Sequence, residues 1–281
     1  MTRKMLVNMK EILYDAKKKG YGVPAANAWN ESTIKAVIAA AEEKHSPVIL
    51  ALYPEMADII AFGEIAVPLA VRAAVPVVVH LDHGQEFVDA VKAVRAGFTS
   101  LMVDRSMASF EQNVFEVREI VKFAHSLDIS VEAELGHVGK GTEYAETKNI
   151  GLTNTEEAKN FVQATDVDCL AVAVGTSHGQ YAGTPELHFD LLKQLNEIVP
   201  VPLVLHGCSG TGDENLKKAI QLGIRKLNLY TDLDQAGFAA AKASFAGAAK
   251  TSMFSSLDDM LCGYREKLGY YMQLFGSAAR V

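Results

Sequence analysis

Eight short apolar runs punctuate the chain, at residues 21–28, 47–52, 76–82, 99–104, 130–136, 169–175, 202–207 and 226–231. Between them, apolar side chains recur at helical spacing. In STIKAVIAAAEEKH, Ile34, Val37, Ile38 and Ala41 share one face behind a capping Ser32. In SFEQNVFEVREIVKFAHSL the cap is Ser109, followed by Phe110, Val114, Val117, Val121 and Ala124 on one side. DENLKKAIQLG opens on Asp213 and stops at Gly223. Runs that are apolar on both faces suit strands buried between layers, and amphipathic helices supply the covering layer. Eight such repeats predict an α/β fold, a (β/α)8 TIM barrel. A doubly wound open sheet is the competing arrangement. Its glycine-rich first turn, G-x-G-x-x-G, is missing from GVPAANAWN.

The chain has 281 residues, 49% of them hydrophobic, which suits one barrel with a large core. Residues 1–281 therefore read as a single domain that includes a C-terminal helical extension over 252–281. In that extension Leu257, Met260, Leu261, Tyr264, Leu268, Tyr271, Met272 and Phe275 recur at spacings of three and four. The stripe reads as a terminal helix packed on the barrel, with a subunit contact as the second reading. The formal net charge is −7 and no basic stripe is present, which argues against a nucleic-acid partner. An anionic small molecule stays open, because a local site can be positive in an acidic protein. The opening MTRKMLVNMKEILYDAKKKG carries charges throughout, and no run reaches the roughly 18 apolar residues of a membrane span. Cys169, Cys208 and Cys262 are odd in number and widely spaced, as in a reducing, cytoplasmic setting.

Catalytic residues of such barrels sit at the C-terminal ends of the strands and in the loops that follow. Five of the eight histidines end or follow a predicted strand: His80, His83, His137, His178 and His206. The other three, His45, His125 and His188, fall on or near helix ends. Imidazoles gathered on one rim suit zinc, and three protein ligands with an open position are the pattern of a catalytic ion. HLDHG packs His80, Asp82 and His83 into the end of one strand. By alternation His80 faces the same side as Asp82, one layer deeper, where it supports the core without touching a metal. Gly84 frees the chain to turn there.

The glycine-rich HGCSGTGDENL links His206 to a helix start, and LNLYTDLDQA links the eighth run to its helix. Loops after the seventh and eighth strands commonly hold phosphate through backbone N–H groups at a helix N-terminus. Ser209, Asn228 and Thr231 add donors there. Carboxylates also collect at strand ends: Asp82, Asp104, Glu132 and Glu134. Asp104 and Glu134 are placed to support a metal ligand or to form a secondary metal position. Glu143 and Glu146 lie in the long loop HVGKGTEYAETKNIGLTN, whose length suits a lid.

Taken as an ordered set, PAANAWNESTIKAVIAAAEEKHSPVIL, HLDHG, GFTSLMVDRS, VEAELGHVG, LAVAVGTSHGQY, LVLHGCSG and LNLYTDL resemble the class II, zinc-dependent ketose-bisphosphate aldolases. The similarity spans nearly the whole chain and lies in the branch of fructose- and tagatose-bisphosphate aldolases. It implies one zinc ion on His83, His178 and His206, with Asp82 as the catalytic acid. It implies a phosphate held by Gly207, Ser209, Asn228 and Thr231, and a main-chain site for phosphate and a monovalent cation, Na+ or K+, at Gly179. Asn27 would lie in the substrate site, and Glu143 would move the carbon-bound proton. The implied reaction is reversible cleavage of a ketose 1,6-bisphosphate or ketose 1-phosphate to dihydroxyacetone phosphate and an aldehyde such as glyceraldehyde 3-phosphate. The resemblance also implies a homodimer or homotetramer.

A class I aldolase needs a Schiff-base lysine in the barrel mouth. Lys226 opens the eighth run, at the wrong rim. Three segments depart from the family pattern: ALYPEMADII, DRSM and GHVGKGTEYAE, the last in place of a Gly-Gly-acidic run. They shape the aldehyde end of the site. Competing readings are a metal-dependent sugar-phosphate isomerase or epimerase, and a non-catalytic sugar-phosphate-binding or regulatory subunit.

Overall fold

A computed structural model describes residues 5–147, 149–247 and 252–281. All eight predicted runs overlap strands: β1 (Val23–Asn27), β2 (Val48–Leu52), β3 (Val77–Gly84), β4 (Ser100–Val103), β5 (Ser130–Leu135), β6 (Cys169–Val172), β7 (Leu203–Leu205) and β8 (Ile224–Leu229). They pair in chain order, all parallel, and β8 closes on β1. The helices are α1 (Met9–Lys19), α2 (Glu31–Lys44), α3 (Ile59–Arg72), α4 (Phe87–Arg95), α5 (Phe110–His125), α6 (Tyr144–Thr147), α7 (Thr155–Thr165), α8 (Phe189–Ile198), α9 (Asp213–Gln221), α10 (Thr231–Gly247) and α11 (Met253–Leu274). The fold is a TIM barrel with a C-terminal helix. No helix among the described residues is long and apolar enough to cross a membrane.

Strand alternation sorts the apolar runs into two cores. Ala25, Ile49, Val78, Cys169, Ala171 and Val204 fill the inside of the barrel. Their neighbours Ala26, Leu50, Val77, Val79, Leu170 and Leu203 pack outward under the helices. Continuing each inward row by two residues towards the strand's C-terminal end gives Asn27 after Ala25, His80 and Asp82 after Val78, and His206 after Val204. On β5 the outward Val131 and Ala133 leave Glu132 and Glu134 inward. The interior is thus apolar at one end and polar at the other.

The apolar end is plugged by α1, a helix that the charge-rich N-terminal sequence obscures. Asn8 caps it in a capping box with Glu11, and Gly20 ends it in the left-handed conformation. Met9, Ile12, Leu13 and Ala16 enter the inner core. Helix α2 begins one residue before Ser32, at Glu31, and its cap is Asn30, whose side chain accepts from the Thr33 backbone N–H. His45 is the C-cap of α2, His125 ends α5 and His188 precedes α8, so these three histidines do lie at helix ends.

The C-terminal stripe divides along α11. Tyr264, Leu268, Tyr271, Met272 and Phe275 are buried, whereas Leu257 is 40% exposed. The Tyr264 hydroxyl donates to the Asn27 carbonyl at 2.6 Å, and Trp29 meets the Tyr264 ring edge-on. The terminal helix therefore braces the end of β1, the strand that carries a candidate site residue. Replacing Tyr264 by Phe leaves a buried carbonyl without this donor. The variant is expected to lose about 1–3 kcal/mol of stability, read as a lower urea midpoint with unchanged slope.

Candidate active site

A cavity of about 430 Å3 opens at the polar end of the barrel. Of the residues singled out in the sequence, Asn27, Asp82, His83, Asp104, His137, His178, Gly179, Gly207, Ser209, Asn228 and Thr231 line it. His206 and Glu134 are buried behind the wall. Glu143 is exposed on a 3-10 turn, Gly141–Glu143, outside the lining.

Adjacent strand residues normally face opposite sides, yet Asp82 and His83 both reach this cavity. The cause is a shift of register between Leu81 and Gly84 where β3 pairs with β4, with His83 at φ 51°. A left-handed histidine costs roughly 1–2 kcal/mol, so neighbouring contacts hold it in place. The turn belongs to His83, not to Gly84 as the sequence suggested. Gly84 instead permits close approach of β4: a Cβ there would lie 3.0 Å from the Met102 carbonyl oxygen.

Three imidazoles converge. His206 Nδ1 lies 2.9 Å from His83 Nε2 and 3.5 Å from His178 Nε2. Each ring's other nitrogen faces an acceptor. His83 Nδ1 meets Asp104 Oδ2 at 2.8 Å, His178 Nδ1 meets the Val138 carbonyl at 3.2 Å, and His206 Nε2 meets Glu132 Oε1 at 2.8 Å. These acceptors draw the ring protons outward, so all three remaining lone pairs point at one another. Nitrogens bound tetrahedrally to one zinc at about 2.0–2.1 Å stand roughly 3.4 Å apart, close to the spacing here. The donor set fits such an ion, and orientation of each ligand by an outer acceptor is the usual architecture of a metal site. His83, Asp104 and Glu134 also bring ligand atoms together, a second group able to hold an ion.

Burial and the neighbouring rings push His178 down to about 3. Burial also opposes a charge on His83, but the carboxylates of Asp82 and Asp104 outweigh it and hold that ring up at about 9. A metal ion and a proton compete for the same lone pair, so binding would release the proton. Burial pushes Glu134 up to about 8, with Asp104 adding to the effect.

Beneath the imidazoles lies a fully buried charge pair. Lys226 Nζ meets Glu132 Oε1 at 2.9 Å and Oε2 at 2.8 Å. Burial opposes ionisation of Glu132, but Lys226 and His206 hold it at about 2. Lys226 is not at the far rim: β8 starts two residues earlier, at Ile224, and the lysine points into the barrel. Its ammonium is engaged with Glu132, which fits a charge-pairing role in place of a Schiff base. His80 Nδ1 meets Ser100 Oγ at 2.9 Å and its Nε2 lies 3.8 Å from Glu132 Oε2, in the core and outside the group of converging ligand atoms.

Asp82 accepts from Asn27 Nδ2 at 2.9 Å on one oxygen and from Asn228 Nδ2 at 3.0 Å on the other. Burial works against its charge, but His83, Lys226 and His206 hold its carboxyl well below the usual range. Asn228 is therefore a partner of Asp82, and it also lies 3.3 Å from His206 Nδ1. Its Oδ1 is buried without a partner among the described residues, an acceptor available to a ligand. Thr231 is the first residue of α10, not the end of a strand, so its backbone N–H belongs to a helix N-terminus. Ser209 Oγ accepts from the Asp232 N–H at 3.1 Å and ties the β7 loop to that helix start. Gly207 has φ 68°, and a Cβ there would lie 2.3 Å from the Ser177 carbonyl oxygen. Only glycine fits.

Sequence reasoning did not single out Tyr53, Met56, Gln85, Val138, Lys140, Cys208 or Tyr230, all of which line the cavity. Tyr53, Met56 and Lys140 fall in segments that depart from the family pattern, which was the available signal. The arrangement of His206 leads to a prediction. Glu132→Gln, which removes the fixed acceptor charge, is expected to weaken zinc affinity about 10–100-fold in a chelator competition. Lys226→Met leaves the buried Glu132 without its ammonium partner, at an expected cost of about 3–5 kcal/mol in urea unfolding.

Comparison with known proteins places nearly the whole chain in one family. Residues 7–280 match the family described as fructose-bisphosphate aldolase class-II. The YdjI aldolase from Escherichia coli K12 is 35% identical, with a TM-score of 0.88 over 98% of this chain and 99% of that one. A candidate fructose-1,6-biphosphate aldolase from Coccidioides immitis is 28% identical, with a TM-score of 0.86 over 100% of this chain and 99% of that one. With the family matched across nearly its full length, this chain belongs to the class II fructose-bisphosphate aldolases and is a lyase.

Proposed function

We propose that the enzyme catalyses reversible, zinc-dependent aldol cleavage of a ketose 1,6-bisphosphate or ketose 1-phosphate. The products are dihydroxyacetone phosphate and an aldehyde such as glyceraldehyde 3-phosphate. The observation that carries this reading is the convergence of three imidazole lone pairs beside the ionised Asp82, in a cavity that ends at a helix N-terminus. Zinc held by His83, His178 and His206 supplies Lewis-acid polarisation of the substrate ketone.

The residues then divide the work. Asp82 takes the proton of the C4 hydroxyl during cleavage and returns it to the aldehyde oxygen during condensation. Its depressed pKa keeps it a carboxylate in the resting site, ready for the cleavage direction. Asn27 and Asn228 hold its two oxygens in place. Gly207, Ser209 and the start of α10 at Thr231 receive the phosphate through N–H and hydroxyl donors. The main chain at Gly179 would hold a monovalent cation, Na+ or K+. Glu143 moves the carbon-bound proton, which requires its turn to swing inward from the rim. Asp104 orients His83. Large exposed apolar side chains on α10 and α11, Phe238, Phe245, Met253 and Phe254, support assembly into a homodimer or homotetramer. The three free cysteines agree with a cytoplasmic setting.

Chelation is expected to abolish release of triose products from a ketose phosphate, and zinc to restore it. Activity that survives metal removal, or covalent trapping by borohydride, contradicts the reading. Interconversion of ketose phosphates without triose release identifies an isomerase or epimerase instead. Asp82→Ala is expected to lose turnover by about 10^2–10^4-fold with metal still bound. Unchanged turnover would assign the acid elsewhere.

A further inference from the structure

The cavity has two unlike walls. From β7 and β8 come Gly207, Cys208, Ser209, Asn228 and Thr231, with no charged side chain among them. The opposite wall, from the ends of β2 to β5, carries Tyr53, Gln85, Asp104, His137 and Lys140. Among the described residues, Lys140 is the one lysine that lines the cavity, and no arginine does. The carboxylates of Asp82 and Asp104 also face the cavity and repel an anion.

The backbone around Lys140 is pinned beside a candidate metal ligand. Lys140 forms a parallel bridge with His178. The Gly141 N–H donates to the His178 carbonyl at 2.7 Å, and the His178 N–H donates to the Gly139 carbonyl at 2.8 Å. Gly141 permits this approach, since a Cβ there would lie 2.4 Å from the Gln180 carbonyl oxygen. The lysine side chain is exposed to the cavity, and among the described residues it is paired with no carboxylate. A cation so placed, opposite the phosphate cradle and unneutralised by the protein, is free to meet charge on a substrate.

We propose that Lys140 is a specificity-determining residue that binds an oxyanion, carboxylate or phosphate, at the far end of the aldehyde half of the substrate. This rests on the aldolase reading above. The ketone half is held at the imidazoles and the β7–β8 cradle, so its extension runs towards the β2–β5 wall. Among the described residues lining that wall, Lys140 is the only lysine or arginine.

The test uses the zinc-loaded enzyme and its Lys140→Met, Lys140→Glu and Lys140→Arg variants. Exchange of the carbon-bound proton of dihydroxyacetone phosphate with deuterated solvent reads the ketone half alone. Condensation is then measured with glyceraldehyde 3-phosphate, with the aldehyde acid of the same carbon number, and with neutral glyceraldehyde. The native enzyme is expected to prefer at least one anionic aldehyde to the neutral one. Lys140→Met is expected to lower kcat/KM for that aldehyde at least tenfold, Lys140→Glu further, with Lys140→Arg recovering most of it. Exchange and the neutral aldehyde should change less than twofold. Whichever anionic arm falls identifies the oxyanion. An equal loss for charged and neutral aldehydes overturns the proposal, as does a native preference for the neutral one. A loss confined to proton exchange also overturns it, by placing the lysine on the ketone half. A native enzyme that neither exchanges nor condenses refutes the aldolase reading itself.

Discussion

Glu132 has no solvent exposure, and its charge holds the centre of the molecule together. One carboxylate oxygen meets both His206 Nε2 and Lys226 Nζ, and the other meets Lys226 again. The carboxylate stands on β5 and the ammonium on β8, so their contact spans the barrel interior. An ionised group in such a place requires nearly complete compensation. Here the compensation also sets chemistry, because the same carboxylate decides which nitrogen of His206 carries the proton. Stability and site geometry therefore depend on one group.

The polar end follows from an inward register that the closed sheet imposes. Rows of small or branched residues fill the barrel from the α1 end, and the same rows become His80, Asp82, Glu132, His206, Lys226 and Asn228 further along. Two local departures bring the last groups into reach. The irregular pairing of β3 with β4 turns His83 onto the side of Asp82. Glycine at 207 lets the β7 loop pass against Ser177. Of the non-glycine residues at positive φ among the described residues, His83 is the one at the site, where its strain sets the direction of a candidate ligand.

Much of this was legible in the sequence. Strand number and order followed from the apolar runs, since burial on both faces leaves an unmistakable pattern. The histidines at strand ends stood out because polar groups closing apolar runs need partners. Helix α1 was hidden because its outer face is charged, although Asn8, Glu11 and Gly20 mark both of its ends. The position of Lys226 inside the barrel was hidden for another reason: its partner lies 94 residues away, and only closure of the sheet brings them together. His83 at positive φ could not be read from HLDHG, where the neighbouring glycine was the natural choice for a turn. The cavity wall from β2 to β5 was the least legible part, since its loops obey no periodicity.

The central claim is that three imidazole lone pairs, each aimed by an acceptor behind it, form one metal centre. Zinc K-edge X-ray absorption on the zinc-loaded protein tests it most directly. The account predicts one zinc per chain with three imidazole nitrogens at about 2.0–2.1 Å. It further predicts loss of one imidazole from that shell in His206→Ala. A zinc shell without histidine scattering, or one that His206→Ala leaves unchanged, would contradict it.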